Sequence, residues 1–329
     1  MSDPVLSVRD LVVEIPTRRG VLRPVDGVGY DIARGEILGV VGESGAGKSM
    51  TGNAVIGLLD RPARITSGEI NLNGTRIDNL TGEAMRRLRG AEIGMVFQDP
   101  LTSLNPLLPI GDQLTETMRA HLDVSQSDAE ARAVAALDEV GIPAARERIQ
   151  SYPHEFSGGM RQRVVIALAL AAEPSLVIAD EPTTALDVSV QAQIIGLLKR
   201  LCRERGTAVM LVTHDMGVIA EAADRVAVMY AGRLAELGPV REVITRPRHP
   251  YTDGLMGSTP LASRGRARLR QIPGAMPRLG ALPDGCAFHP RCDRAQDRCR
   301  DGRSPTLGTC DGRAACWFPL EHKMQTEIA

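Results

Sequence analysis

Residues 42–49 read GESGAGKS, the pattern G-x-x-x-x-G-K-[ST], and they follow the aliphatic run EILGVVG at 36–42. That order of residue types makes a phosphate cradle. Gly42, Gly45 and Gly47 let the backbone wrap closely round a polyanion, whose charge is met by the amides of the loop, Glu43, Ser44 and Ala46 included, and by the N-terminus of the helix behind it. Lys48 is spaced to reach the β- and γ-phosphates of a nucleotide, the Ser49 hydroxyl to ligate Mg2+, and Met50 follows in the helix. A second run, SLVIAD at 175–180, ends on Asp180 with Glu181 next. Asp180 reads as the acid that holds the metal through water, and Glu181 as the base that orients or activates an attacking water. A helix cap is the structural alternative for Glu181. A third run, TAVMLVTH at 207–214, ends on His214. FSGGMRQR at 156–163 sets the Ser157 hydroxyl and the bare backbone of Gly158 and Gly159 at the start of a long aliphatic helix, which makes a second anion site. Two such termini with one nucleotide loop imply that the second serves a nucleotide held by another subunit, and hence a dimer.

The cysteines form a separate set. Five of six, Cys286, Cys292, Cys299, Cys310 and Cys316, fall in the last 44 residues, with no C-x-x-C pair among them. In a reducing compartment this crowding points away from disulfides and toward a metal or redox role, with ordinary thiols as the alternative and His289 as a competing zinc ligand.

The elements that position these residues follow from periodicity. Three short buried strands with polar C-terminal ends fit an open α/β sheet that binds ligands at those ends. LSVRDLVVEI (6–15) and GEINLNG (68–74) read as antiparallel strands of an annex. From Asp99 to Phe156 the period turns helical, broken at Pro100, Pro106, Pro109 and Pro143, and a capping box at Ser127 to Glu130 opens a helix that stops at Gly141. Residues 99–165 are expected to form a helical subdomain. Beyond Arg246 the chain is rich in Pro, Gly and Arg, with eleven Arg, no Lys and five Asp across 261–319, and a linker begins near Pro247. Two units are expected: a nucleotide-binding domain at 1–245 and a C-terminal extension at 246–329.

The chain has 329 residues, 39 Lys+Arg and 40 Asp+Glu, for a net charge of −1. This balance excludes a polyanion binder acting by bulk charge, and no nucleic-acid partner is expected. With 43% hydrophobic residues but 3% aromatic ones, the core must be aliphatic. No apolar stretch reaches the length of a membrane span, and the start MSDPVLSVRD does not read as a secretory signal, so the cytosol is the expected compartment.

In order along the chain stand the glycine loop, Gln98 after a strand (MVFQDP), the SGG signature, Asp180-Glu181, the ALD turn at 185–187 and His214. This series resembles the ATP-binding subunit of an ABC transporter. The fold implied is a P-loop NTPase of ABC type with an antiparallel β annex, a helical subdomain and a cysteine-rich C-terminal extension. The resemblance implies a head-to-tail dimer with ATP between one subunit's loop and the other's Ser157, Gly158 and Gly159. It also implies that Gln98 contacts Mg2+ and senses a membrane partner, that Asp187 lines the dimer interface, and that His214 contacts the γ-phosphate. QDPLTSLNP (98–106), HPYTDGLMGSTP (249–260) and IPGAMPRLGALPDGCAFHPRC (272–292) narrow the likeness to the oligopeptide and dipeptide importers. That subgroup pairs two nonidentical ATPase subunits with two permeases and an extracytoplasmic solute-binding protein, on the cytoplasmic face of the inner membrane. Nickel, glutathione and other small-solute importers share the plan, and a soluble ABC ATPase with no transport role is the further alternative. The likeness further implies a [4Fe-4S] cluster on Cys286, Cys292, Cys299 and Cys316, with Cys310 in excess. Two departures stand out: Met160 replaces the usual signature Gln, and no aromatic near Ile15 is present to stack on adenine. Ile15, Arg19 and Arg23 are the candidates for the base, while Tyr30 reads as core.

Overall fold

The computed structural model describes residues 3–184, 186–258, 271–309 and 312–322. The central sheet has six strands in the order β10-β9-β3-β8-β7-β6, formed by β3 (Ile37–Val41), β6 (Ile93–Val96), β7 (Leu176–Asp180), β8 (Ala208–Thr213), β9 (Arg225–Tyr230) and β10 (Arg233–Pro239). All neighbours are parallel except β9 and β10, which form a hairpin. The antiparallel annex runs β2-β1-β4-β5, from β1 (Leu6–Thr17), β2 (Gly20–Ile32), β4 (Arg64–Leu72) and β5 (Thr75–Arg76). The three expected core strands and both expected annex strands are in place, and β2, β5, β9 and β10 are additions.

Side-chain alternation in the central strands sorts the core into two bodies. In β3, Ile37 and Val41 join the cluster on the helical side, while Leu38 and Val40 join the cluster shared with the annex. In β7 the split is Val177 and Ala179 against Leu176 and Ile178, and in β8 it is Val209 and Leu211 against Ala208, Met210 and Val212. Every residue of these strands is buried because a period of two leaves no face free when both faces are covered. Tyr30 is core, as expected, with its hydroxyl on Met210 Sδ.

The 99–165 region is helical, and two of the prolines expected to break it stand at helix starts: Pro100 opens Pro100–Ser103 under an Asp99 cap, and Pro109 precedes Ile110–His121, whereas Pro106 and Pro143 lie in turns. The helix Gln126–Glu139 is capped by Ser125, whose hydroxyl accepts from the Asp128 amide, and not by Ser127, which lies inside the first turn. It ends at Val140, with Gly141 at φ +75°.

The C-terminal part packs into the body. After the helices Val240–Thr245 and Pro250–Gly257, residues 271–309 and 312–322 run with little regular structure. Tyr251, Met256 and Phe288 belong to the same apolar cluster as Ile37 and Val177. Backbone bonds from Leu237 to Arg313 and from Ala315 to Ala235 extend the β10 edge. The described tail is thus no separate layer.

His249 caps the helix Pro250–Gly257 through Nδ1, which accepts from the Tyr251 amide, and is 3% exposed. Burial lowers its pKa to about 4 from 6.5, against an opposing hydrogen bond with the Ala315 backbone. The unfolded chain therefore binds a proton near pH 6.5 that the folded chain refuses until about pH 4. Stability is full above pH 6.5 and declines between these values, by up to about 3 kcal/mol. Asparagine also caps helices without titrating. His249→Asn is expected to flatten this part of the acid limb, as measured by urea midpoints from pH 7 to pH 4.

Candidate nucleotide site

The loop between β3 and the helix Lys48–Val55 holds its shape through two close backbone approaches. A Cβ on Gly42 would lie 2.2 Å from the Met229 carbonyl oxygen, and one on Gly47, at φ +103°, would lie 2.2 Å from the Pro24 carbonyl oxygen. No other residue fits either place. Lys48 is 6% exposed and donates from Nζ to the carbonyls of Gly42 (2.9 Å) and Glu43 (3.1 Å). Burial lowers its pKa, and the nearby charges of Glu181 and Asp180 oppose that shift.

The ends of β7, β8 and β6 bring the remaining polar groups to this loop. The Ser49 hydroxyl donates to Asp180 Oδ1 at 2.9 Å. Asp180 is 9% exposed, and burial raises its pKa despite the Ser49 bond and the charge of Lys48. A buried carboxylate disfavoured in its charged form beside a hydroxyl suits a divalent cation, which would remove that penalty. Glu181 has φ +47°, a left-handed backbone rare for a side chain of its length, and its amide donates to the Val212 carbonyl at 2.8 Å. Its carboxylate accepts from Thr184 Oγ1 (2.8 Å) and Gln98 Nε2 (3.4 Å), and His214 Nδ1 lies 3.2 Å from Oε1. Burial works to raise the Glu181 pKa, but the Thr184 and His214 contacts and the charges of His214 and Lys48 leave it lowered. Glu181 is therefore ionised at neutral pH.

These groups line a cleft of ≈ 700 Å³ with Ser44, Gly45, Gly47, Lys48, Ser49 and Met50 on its floor and Gln98, Glu181 and His214 on one wall. Ile15, Pro24 and Leu279 line it too. Of the three candidates for the base, Ile15 faces the cleft, whereas Arg23 pairs with Glu14 at 2.9 Å and does not line it, nor does Arg19. Leu279 is a residue that sequence reasoning missed, since nothing in its surroundings marks a ligand contact.

The signature lies apart from this cleft. Ser157 caps the helix Gly158–Leu170, its hydroxyl accepting from the Met160 amide at 3.4 Å, and Ser157 and Gly158 are exposed. A Cβ on Gly159 would meet Val190 Cγ1 at 2.7 Å. Asp187 caps the helix Val188–Arg205 through the Val190 amide, 2.9 Å away, and Val188 beside it is 83% exposed. Ala185 of the ALD turn lies outside the described residues. The structure thus gathers the loop, Gln98, Asp180, Glu181 and His214 at one place, and presents Ser157, Gly158 and Asp187 on the surface elsewhere.

The cysteine expectation is corrected. Among the described residues no group of three or more His, Cys, Asp or Glu side chains is placed to hold a metal ion, which overturns the iron-sulfur assignment of Cys286, Cys292, Cys299 and Cys316 and the zinc role of His289. The four thiols line a small apolar cavity with Phe288, Trp317 and Phe318. Burial pushes Cys286 up to about 11 and Cys316 up to about 12, and raises Cys292. His289 turns Nδ1 to the Cys286 carbonyl at 3.0 Å. Cys310 lies outside the described residues.

A phosphate loop at the end of the central strand, an antiparallel annex, a helical insert and an acid pair on β7 together define an ATP-hydrolysing cassette of the ABC class. The ABC transporter family profile matches residues 25–184, and the profile for the oligopeptide/dipeptide transporter C-terminal region matches 235–299. The dipeptide transport ATP-binding protein DppD of Bacillus subtilis is 46% identical over 320 residues, covering 96% of this chain and 95% of that protein. The oligopeptide transport ATP-binding protein OppD of Salmonella typhimurium is 48% identical over 317 residues, covering 96% and 94%. Among solved structures, the ATP-binding cassette MJ0796, a dimer in a post-hydrolysis state with ADP and Pi, superposes with a TM-score of 0.64 at 28% identity, covering 72% of this chain and 99% of that one. The chain belongs to the ATP-binding subunits of the oligopeptide and dipeptide ABC transporters, and its activity is ATP hydrolysis. Among the described residues no helix is long and apolar enough to cross a membrane.

Proposed function

We propose that the chain powers uptake of di- or oligopeptides from the cytoplasmic face of the cell membrane, with a second, nonidentical ATPase subunit, two permeases and an extracytoplasmic solute-binding protein. The observation that carries this reading is the near full-length similarity to dipeptide and oligopeptide transport subunits, which extends through the C-terminal region. Within it, residues 1–245 form the ATP-binding domain and 246–329 an extension of importer type.

In the reading we favour, the loop amides and Lys48 hold the phosphates, and Ser49, Gln98 and Asp180 hold Mg2+. The metal neutralises phosphate charge when bound, and the rest falls to the protein. Glu181 accepts a proton from the attacking water, and its contacts with Thr184, Gln98 and His214 aim the carboxylate. His214 donates toward the γ-phosphate. The base packs on Ile15, Pro24 and Leu279, aliphatic groups that supply apolar area in place of an aromatic ring. Ser157, Gly158, Gly159 and Asp187 meet the nucleotide of the partner subunit. Exposed Phe97, Leu101 and Leu107 beside Gln98 support a permease contact there.

The test is reconstitution in proteoliposomes with the permeases, the partner ATPase and the binding protein. ATP hydrolysis is expected to rise when the binding protein is loaded with a di- or oligopeptide. Stimulation by Ni2+ or glutathione, and none by peptides, would reject the peptide assignment.

A further inference from the structure

The second residue of the phosphate loop is gripped from the C-terminal segment. Arg291 Nη1 lies 2.9 and 3.1 Å from the two carboxylate oxygens of Glu43. The Glu43 amide donates to the Tyr251 hydroxyl at 2.9 Å. The guanidinium is itself fixed: Nε donates to the Pro273 carbonyl at 2.8 Å, Nη1 lies 3.3 Å from the Tyr230 hydroxyl, and the rings of Tyr230 and Phe288 sit 5.8 and 6.0 Å away. Its side chain is 6% exposed, against 29% for Glu43. From the same segment, Met276 Cε would be 3.2 Å from a Cβ on Gly45, and Leu279 lines the cleft.

We propose that the C-terminal segment is built into the nucleotide site, with Arg291 as a positioning residue that neutralises Glu43 and pins the loop. This rests on the reading of residues 42–49 as the phosphate site. A carboxylate in such a loop repels the phosphates it must surround. A buried guanidinium on both of its oxygens cancels that repulsion and holds the backbone at its second residue. Linkage makes the effect reciprocal, so nucleotide binding tightens the segment that carries Arg291.

The experiment titrates ATP onto the full chain in a Glu181→Gln background that holds hydrolysis down. Arg291→Ala is expected to raise the Kd for ATP about tenfold, the scale of one lost charge-assisted bond, and Arg291→Lys to keep most of the affinity. Adding Glu43→Gln to Arg291→Ala should recover part of the loss, because the uncompensated carboxylate is then gone. A role in packing alone would show no such recovery and no rescue by Lys, and either result overturns the proposal. So does wild-type affinity in folded Arg291→Ala. Lys48→Ala is the separate control: if it binds ATP normally, the phosphate-site reading fails. In the unsubstituted protein, saturating ATP should slow hydrogen exchange across 286–292, and unchanged exchange there would also overturn the proposal, whether or not the variants fold.

Discussion

Glu181→Gln is expected to bind ATP as the parent protein does and to hydrolyse it about a thousandfold more slowly, the scale of a lost general base. The amide keeps the shape of the side chain and can still meet Thr184, which lies 2.8 Å from Oε2, so the fold and the cleft survive. What it loses is a group able to take the proton of water. The parent carboxylate is held below the usual carboxylate range, so the acid limb of turnover that belongs to it falls below pH 4.5. Single-turnover hydrolysis and equilibrium ATP binding, measured on the same preparation, separate the two effects. Full turnover would remove Glu181 from the chemistry.

Gly47→Ala acts on the scaffold. At φ +103° an L-residue is strained, and its Cβ would lie 2.2 Å from the Pro24 carbonyl oxygen, a backbone atom that cannot step aside without moving β2. The expected cost is about 3 kcal/mol or more, the range for backbone strain combined with overpacking. Urea unfolding should show it, together with loss of ATP binding, since the loop opens when β2 is displaced. A variant with unchanged stability would mean that the loop relaxes without holding Gly47 against Pro24.

The loop and its strand were legible because glycine spacing and an aliphatic run are local signals. Asp180, Glu181 and His214 were legible because polar residues stood at the ends of buried strands. The β9–β10 hairpin was missed for a specific reason. Its two-residue turn is Ala231-Gly232, at φ +48° and +84°, and alanine at the first left-handed position hides the usual Asn-Gly or Asp-Gly mark. The helix cap was misplaced by two residues because Ser125 and Ser127 carry the same hydroxyl. Which one leaves the helix depends on how the chain approaches from Leu122. The strained backbone of Glu181 left no trace in residue type. Neither did the reach of Arg291 and Leu279 to the loop, because contacts across more than two hundred residues come from tertiary packing alone. The crowded cysteines misled for the converse reason: spacing along the chain does not fix ligand geometry, and the four thiols line a small apolar cavity beside aromatic rings with no group among the described residues placed to hold a metal ion.

The sorting of β3, β7 and β8 side chains into two clusters makes the central sheet a partition. A change of volume on the helical side meets backbone before it meets the annex side, so repacking there is absorbed locally. Motion passing between the helical insert and the nucleotide must then travel round the ends of the strands, where Gln98 and His214 both touch Glu181. Among the partly buried apolar residues described, Met276 packs against both clusters, which gives the C-terminal segment a foot on each side of the wall.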